Sequence, residues 1–301
     1  MSFRTLRPDD LIGVVAPAGP VAADKLDAVT ALYARWGYRA RLYPGCRADT
    51  GYLAGPDALR LADLHAALAD DAVAAIHCLR GGYGCMRLLD GIDADLLQRK
   101  PKLLIGYSDI TALQALWARH GLPSLHAPMP ASDLIKAGRL DDEQALFTLL
   151  RDGLRAGAVL APVLQPAALR VPGHAAGRLI GGNLSLVAAL LGTPWAWQAQ
   201  GAILFLEDVN EELYRVDRTL TQLRLAGVLD AVAGFVLGSF TEAASPMALL
   251  QQMLVPLGKP VLGGWPTGHG TPNRPLPMGV RVALDAGAGQ LTLLQDFLSA
   301  G

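Results

Sequence analysis

Along the first half of the chain, short unbroken apolar runs alternate with longer stretches in which apolar residues recur at every third or fourth position. The run LIGVVAPAG (11–19) reads as a buried strand ending in a Gly/Pro turn, and VAADKLDAVTALYARWG (21–37) as a helix stopped by Gly37. YRARLYP (38–44) alternates as a half-buried strand does, and 56–70 has helical spacing with Pro56 in its first turn. AVAAIHCL (72–79) is the next strand and ends at RGGYG. Residues 86–98 read as helix, KLLIGY (102–107) as strand, and Asp109 to His120 as a helix closed by Gly121. This alternation predicts a mostly parallel sheet covered on both faces, a Rossmann-like α/β domain over 1–150.

Past residue 150 the rhythm changes. GAVLAPVLQPAALRVPGHAAGRLIGGN (157–183) is rich in Pro, Gly and β-branched residues and has no helical period, so 151–177 reads as a linker leading into short strands. A helix at 183–191, a strand GAILFLED (201–208), a helix at 213–226 and a strand VAGFVLGSF (232–240) follow, then short strands joined by Gly-rich turns. The expectation for 178–301 is a smaller, mixed or barrel-like α+β domain.

Composition narrows the function classes. Hydrophobic residues make up 51% of the 301 and charged residues 18%, which suits a compact fold and excludes a largely disordered chain. A net charge of -1 with scattered arginines gives no basic field for a nucleic-acid partner. Cys46, Cys78 and Cys85 match neither a disulfide framework nor a zinc motif and read as buried thiols in a reducing compartment. The apolar stretch before Pro17 is too short for a signal peptide, and VAALLGTPWAW is broken by Gly192 and Pro194. A cytoplasmic chain without a membrane span is the expectation.

The candidate chemistry begins at LLIGYSDITAL, where Ser108 stands between a strand and a helix. Such a serine either caps the helix or is held out as a nucleophile with the following amide near an oxyanion. The sequence leaves both open, since Ile110 stands where a G-x-S-x-G turn has its last glycine. Arg80-Gly81-Gly82-Tyr83-Gly84 lies at the same sheet edge. It is either a turn needing positive φ or a loop whose amides meet a ligand, Gly82 giving one oxyanion donor and Asp109 the other. It lacks the Lys-Ser/Thr of a phosphate-binding loop.

Serine needs a base. His65, His77, His120 and His174 have structural explanations. His269, held in GWPTGHGTPN, and His126, in LHAPMP, stay as competitors. Glu207 and Asp208 end an apolar strand and are placed to orient an imidazole; Glu211, Glu212 and Asp217 follow on the next helix, where Glu211 or Glu212 has the alternative use of capping the helix or pairing with Arg215. No metal-ligand run occurs, so neither metal nor cofactor is expected.

Several stretches together resemble the LD-carboxypeptidases (serine peptidase family S66), which include microcin-immunity peptidases: VVAPAGP, YLAG, AIHCLRGGYGCMRLLD, LLIGYSDITAL, GRLIGGNLSL, FLEDVNEELYRVDRTLTQL, and GHG followed by LPMG. The resemblance implies a two-domain fold, commonly a homodimer, and hydrolysis of an L–D peptide bond in murein tetrapeptide to release D-alanine. It puts a nucleophile on Ser108, an orienting acid on Glu207, a base on His269, and oxyanion amides on Gly82 and Asp109. Where the family more usually has His-Gly-Pro, this chain has His126-Ala127-Pro128. The compact segment between Glu207 and His269 carries no insertion to stack on a nucleotide, which disfavours the microcin-type alternative. A terminal carboxylate would fall to Arg80, with Arg218 and Arg274 as weaker choices. Tyr83 is cleft wall or packing, Trp265 cover or core, Asn183 cleft or helix cap. A two-domain ligand-binding protein without turnover is the more distant alternative.

Overall fold

The structure, a computed structural model, describes residues 1–164 and 168–300. It has two α/β halves. In the first, Arg39–Leu42, Leu11–Val15, Val73–Cys78, Leu103–Gly106 and Ser124–His126 lie side by side in that order, all parallel. Leu276–Met278, from far along the chain, pairs antiparallel with Ser124–His126 and closes the edge. The unbroken apolar runs are explained by burial on both faces. In Leu11–Val15, Ile12 and Val14 join one hydrophobic cluster with the helices Leu26–Arg35 and Leu140–Asp152, while Leu11 and Val15 join another with Asp57–Ala69 and Thr111–Arg119.

The second half is built on a mixed eight-stranded sheet, curled into a half-barrel. Its middle strands, His174–Asn183, Ile203–Val209, Gly234–Thr241 and Val261–Leu262, are parallel. On one side Arg281–Asp285 lies antiparallel to His174–Asn183, with Gln290–Leu293 antiparallel to it beyond; on the other, Arg170–Val171 lies antiparallel to Val261–Leu262. Leu184–Ala189, Leu213–Leu225 and Met247–Leu254 supply the helical cover. Phe205, Val236 and Leu262 belong to the same buried cluster as Ile12 and Ile105, so the two sheets share a core. Phe3–Arg4 pairs with Leu298–Ser299 and ties the chain ends together.

The fold departs from the sequence reading in particular places. The helix expected at 86–98 is a 3-10 segment, Cys85–Gly91, followed by a separate helix, Ala94–Arg99. The break comes at Asp93, whose side chain accepts the Leu96 N–H at 2.8 Å and starts a new helix. Helices Leu140–Asp152 and Met247–Leu254 were not anticipated. The first opens with Asp141, Asp142 and Glu143, so its apolar face is reduced to Leu146, Phe147 and Leu150. Within 151–177, Val159–Leu160 and Arg170–Val171 are strands on the two edges of the larger sheet, and 165–167 of the expected linker lie outside the described residues. Among the described residues no helix is long and apolar enough to cross a membrane. All three cysteines are free and buried, and burial pushes the Cys46 thiol up to about 12.

Candidate active site

Parallel sheets collect their loops at the carboxyl ends of the strands, and here both sheets turn those ends toward one cleft. Leu103–Gly106 is wholly buried and delivers the chain to Tyr107 and Ser108. Ser108 has φ +64°, a left-handed conformation that costs a non-glycine residue about 1–2 kcal/mol and that a mere helix cap does not require. The neighbouring loop is fitted to it. A Cβ on Gly81 would lie 2.8 Å from the Ser108 Cβ and 2.9 Å from its Oγ, so only glycine lets this backbone pass the hydroxyl.

Both sides of this loop are tied down. The Gly81 carbonyl accepts the Gly19 N–H (3.1 Å) and the Arg80 Nε–H (3.2 Å). Asp109, buried beside Ser108, accepts the Cys85 N–H on Oδ2 at 2.8 Å and so clamps the far end of the loop to the nucleophile turn. Burial pushes its carboxyl up. The Gly82 N–H donates to no protein acceptor among the described residues.

The second half supplies the partners. His269 Nε2 stands 3.0 Å from the Ser108 Oγ, and its Nδ1 is 2.7 Å from Glu207 Oε2. The His269 main-chain N–H donates to the same oxygen at 3.1 Å. With a carboxylate at Nδ1, that nitrogen carries the proton and Nε2 is left to accept from the serine. Burial pulls the His269 pKa down, but the charge and hydrogen bond of Glu207, with Asp208 and Asp133 behind, outweigh it, and the net shift is upward.

The loop around His269 is braced. Ser239 donates its hydroxyl to the Thr267 carbonyl and accepts the Gly270 N–H, each at 3.0 Å. Asn273 accepts the Gly268 N–H at 3.0 Å, while its own N–H goes to Asp142 at 2.9 Å. Asp208, next to the acid, is buried in structural work: it accepts from Asn183 Nδ2 (2.8 Å), Ser185 Oγ (2.8 Å) and the Ser185 N–H (3.0 Å).

Ser108, His269 and Glu207, from separate parts of the sequence, are thus brought into one relay, with Gly81 against the hydroxyl, Gly82 lining the same cleft and Asp109 directly after the serine. Other candidates lie elsewhere. Arg80 lines the cleft but braces its own loop, donating to Gly81 O and, from Nη1, to Pro20 O at 3.0 Å. Tyr83 is not among the cleft-lining residues. Gly82 and Gly84, at φ +118° and +135°, turn it outward against Tyr52. Asn183 caps the helix Leu184–Ala189, Trp265 is core, Arg218 lies over Tyr214, and Arg274 holds the Asp141 carbonyl. His126 is fully buried and, among the described residues, hydrogen-bonds to neither Ser108 nor Glu207, and the buried Ala127 N–H donates to Gly106 O at 3.3 Å.

The sequence reading missed the far wall of the cleft. Tyr107 packs edge-on to the His269 ring at 4.8 Å and donates its hydroxyl to Asp133 at 3.1 Å. Arg139 pairs with Asp133 and Asp142 and bonds to Thr271. Nothing local in PMPASDLIKAGR marks these residues, because they meet the site only through the π-helical turn Pro130–Leu134. The cleft encloses about 800 Å³ and also takes in Lys25, Lys136 and Glu242. Among the described residues no three His, Cys, Asp or Glu side chains are grouped to hold a metal ion. The arrangement is a serine-hydrolase active site: a hydroxyl, an imidazole in contact with it and a buried carboxylate orienting the imidazole.

Comparison with known proteins agrees. The profile of the LD-carboxypeptidase N-terminal domain matches residues 12–127, and that of the LD-carboxypeptidase C-terminal domain matches 176–284. The chain is 36% identical over 309 residues to the probable murein peptide carboxypeptidase of Bacillus subtilis, across 99% of this chain and 95% of that one. Among solved structures it is similar to the muramoyltetrapeptide carboxypeptidase from Oxalobacter formigenes (29% identity, TM-score 0.84, 97% and 100% of the two chains). It is similar in fold to the microcin C7 self-immunity protein solved with aspartyl sulfamoyl adenosine (23% identity, TM-score 0.88, 99% and 100%). With its two halves matched in order and a relative aligned over nearly its whole length, this chain belongs to the LD-carboxypeptidase family.

Proposed function

We propose that this chain is a serine peptidase that hydrolyses an amide bond in a small peptide carrying a free carboxylate. The observation that carries the reading is the relay from Ser108 Oγ through His269 to Glu207, at 3.0 and 2.7 Å. His269 Nε2 takes the Ser108 proton as Oγ attacks the carbonyl carbon. The amides of Gly82 and Asp109 receive the oxyanion, each such donor contributing about 3–4 kcal/mol to the transition state of acyl transfer. His269 then protonates the leaving amine, and a water activated by the same imidazole hydrolyses the acyl-enzyme. Arg80 at the mouth of the glycine loop is the proposed carboxylate receptor.

Two finer readings of the substrate have support. Similarity to the Bacillus subtilis and Oxalobacter formigenes proteins supports the L–D bond of a murein tetrapeptide, with release of D-alanine. Likeness in three dimensions runs further toward the microcin C7 self-immunity protein, and that favours an aminoacyl-nucleotide amide. The reading is completed by a cytoplasmic homodimer with the nucleophile on a domain of 1–150 and acid and base on one of 178–301, joined by 151–177. Light scattering tests the dimer.

The test is a paired assay with EDTA present: D-alanine release from L-Ala-D-Glu-L-Lys-D-Ala, and cleavage of an aminoacyl sulfamoyl adenosine. Wild type is run beside Ser108→Ala. Cleavage of the tetrapeptide alone, lost in the variant, selects the murein reading, and cleavage of the nucleotide alone selects the other. Activity that survives Ser108→Ala overturns the mechanism.

A further inference from the structure

The cleft holds more charge than the relay uses. Its cations are Lys25, Arg80, Lys136 and Arg139, and its anions are Asp133 and Glu242. Asp133 and Arg139 are engaged with each other and with Tyr107 and Asp142. Arg80 donates to main-chain carbonyls, which hold its guanidinium in place without neutralising it. Among the described residues Lys25, Lys136 and Glu242 have no oppositely charged side chain within ion-pair distance. Three free cations therefore face one free carboxylate. Such a lining suits a ligand with more than one carboxylate and an ammonium within reach of Glu242.

Glu242 is not a casual surface residue. It has φ +59°, a left-handed conformation that glycine or asparagine adopts freely and a glutamate adopts only at a cost. It directly follows the strand Gly234–Thr241, whose last carbonyl accepts the Asn210 N–H at 2.8 Å. The same strand carries Ser239, which braces Thr267 and Gly270 on either side of the base. The carboxylate is thus set at the rim from the element that positions His269.

We propose that Glu242 is a specificity residue that receives a primary ammonium on the acyl part of the substrate, while Lys25, Lys136 and Arg80 receive its carboxylates. The inference rests on the murein-type peptidase reading. There the leaving residue contributes only a methyl and a carboxylate, since its nitrogen is in the bond being cut, so the ammonium comes from the acyl part. Of its two amines, the side-chain amine of the diamino acid is on the residue next to the cut bond and the L-Ala α-amine is two residues further away. An exposed carboxylate meeting one ammonium gives a preference of about fivefold.

The experiment compares L-Ala-D-Glu-L-Lys-D-Ala with the same peptide acetylated on the lysine Nε, in wild type, Glu242→Gln and Glu242→Asp. Both kcat/KM for D-alanine release and Kd on Ser108→Ala backgrounds are measured. The expected result is a wild-type preference of about fivefold for the free amine that falls to about one in Glu242→Gln and is partly kept in Glu242→Asp. Equal handling of the two peptides by wild type overturns the proposal, and so does a preference that survives Glu242→Gln. If neither peptide is cleaved, the murein reading fails, and the Kd ratio still decides on Glu242. If neither binds, both fail.

Discussion

His126 and His269 both pack against the Tyr107 ring, at centroid distances of 5.6 and 4.8 Å, and both are largely withdrawn from water. Burial, with His269 nearby, pulls His126 down to about 3, whereas His269 ends above its ordinary value. The difference is Glu207. Burial lowers His269 as well, but the carboxylate 2.7 Å from Nδ1 more than restores it. Among the described residues both ring nitrogens of His126 are buried without a hydrogen-bond partner, and the ring lies edge-on to Phe205 at 5.1 Å. Nearness to the nucleophile does not make a base. A hydrogen-bonded carboxylate on one nitrogen and a hydroxyl on the other do.

The comparison breaks most easily on turnover. His269→Ala is expected to lower kcat by about 10⁴–10⁶-fold, because the serine loses its base while oxyanion donors and binding remain. His126→Leu fills a similar volume and removes no hydrogen bond to Ser108, so its loss should stay within about tenfold. The check is turnover of whichever of the two proposed substrates the wild type cleaves, beside thermal melting of each variant. A folded His126→Leu protein as inactive as His269→Ala would show that His126 takes part in the chemistry.

A second substitution makes one histidine behave like the other. Glu207→Gln is expected to cost about 10³–10⁴-fold in kcat, since an amide can also hold the wrong tautomer. Its pH dependence is more telling. The base works only when neutral, so kcat/KM falls as pH drops through the His269 pKa, and the raised value puts that acid limb above 6.5 in the wild type. Without the carboxylate, burial is left to act and the limb should move to lower pH. A limb that stays in place, or rises, would remove Glu207 as the source of the shift.

Much of this site was legible in the sequence, for a physical reason. Ser108, Gly81, Glu207 and His269 each sit at a strand end or in a Gly/Pro loop, where a local pattern announces an unusual backbone. The sequence could not join them, because Ser108 and His269 are 161 positions apart and meet only through the packing of two sheets. The far wall was illegible. Asp133, Arg139 and Glu242 look like ordinary surface charges until the π-helical turn and the left-handed residue place them in the cleft. The edge strand Leu276–Met278 was similarly hidden: three apolar residues do not say which sheet they will join.

The smallest expected effect separates the two histidines by stability. A histidine whose native pKa is depressed leaves the native state unable to take up a proton that the unfolded chain accepts below 6.5. His126 therefore costs stability as pH falls from 6.5 toward about 3, by about 2 kcal/mol at pH 5, and His77, pulled down to about 4, adds to the same loss. His269 acts in the opposite sense. Its raised pKa contributes stability that is fully present below 6.5 and is lost as pH rises through the folded value. Urea unfolding of wild type and His126→Leu at pH 7 and pH 5 measures the first effect. The variant should lose about 2 kcal/mol less than wild type between the two pH values, with the remaining slope set by His77 and the carboxylates. An unchanged difference would mean that His126 accepts a proton in the native protein, and the contrast with His269 would then lie in hydrogen bonding to the serine alone.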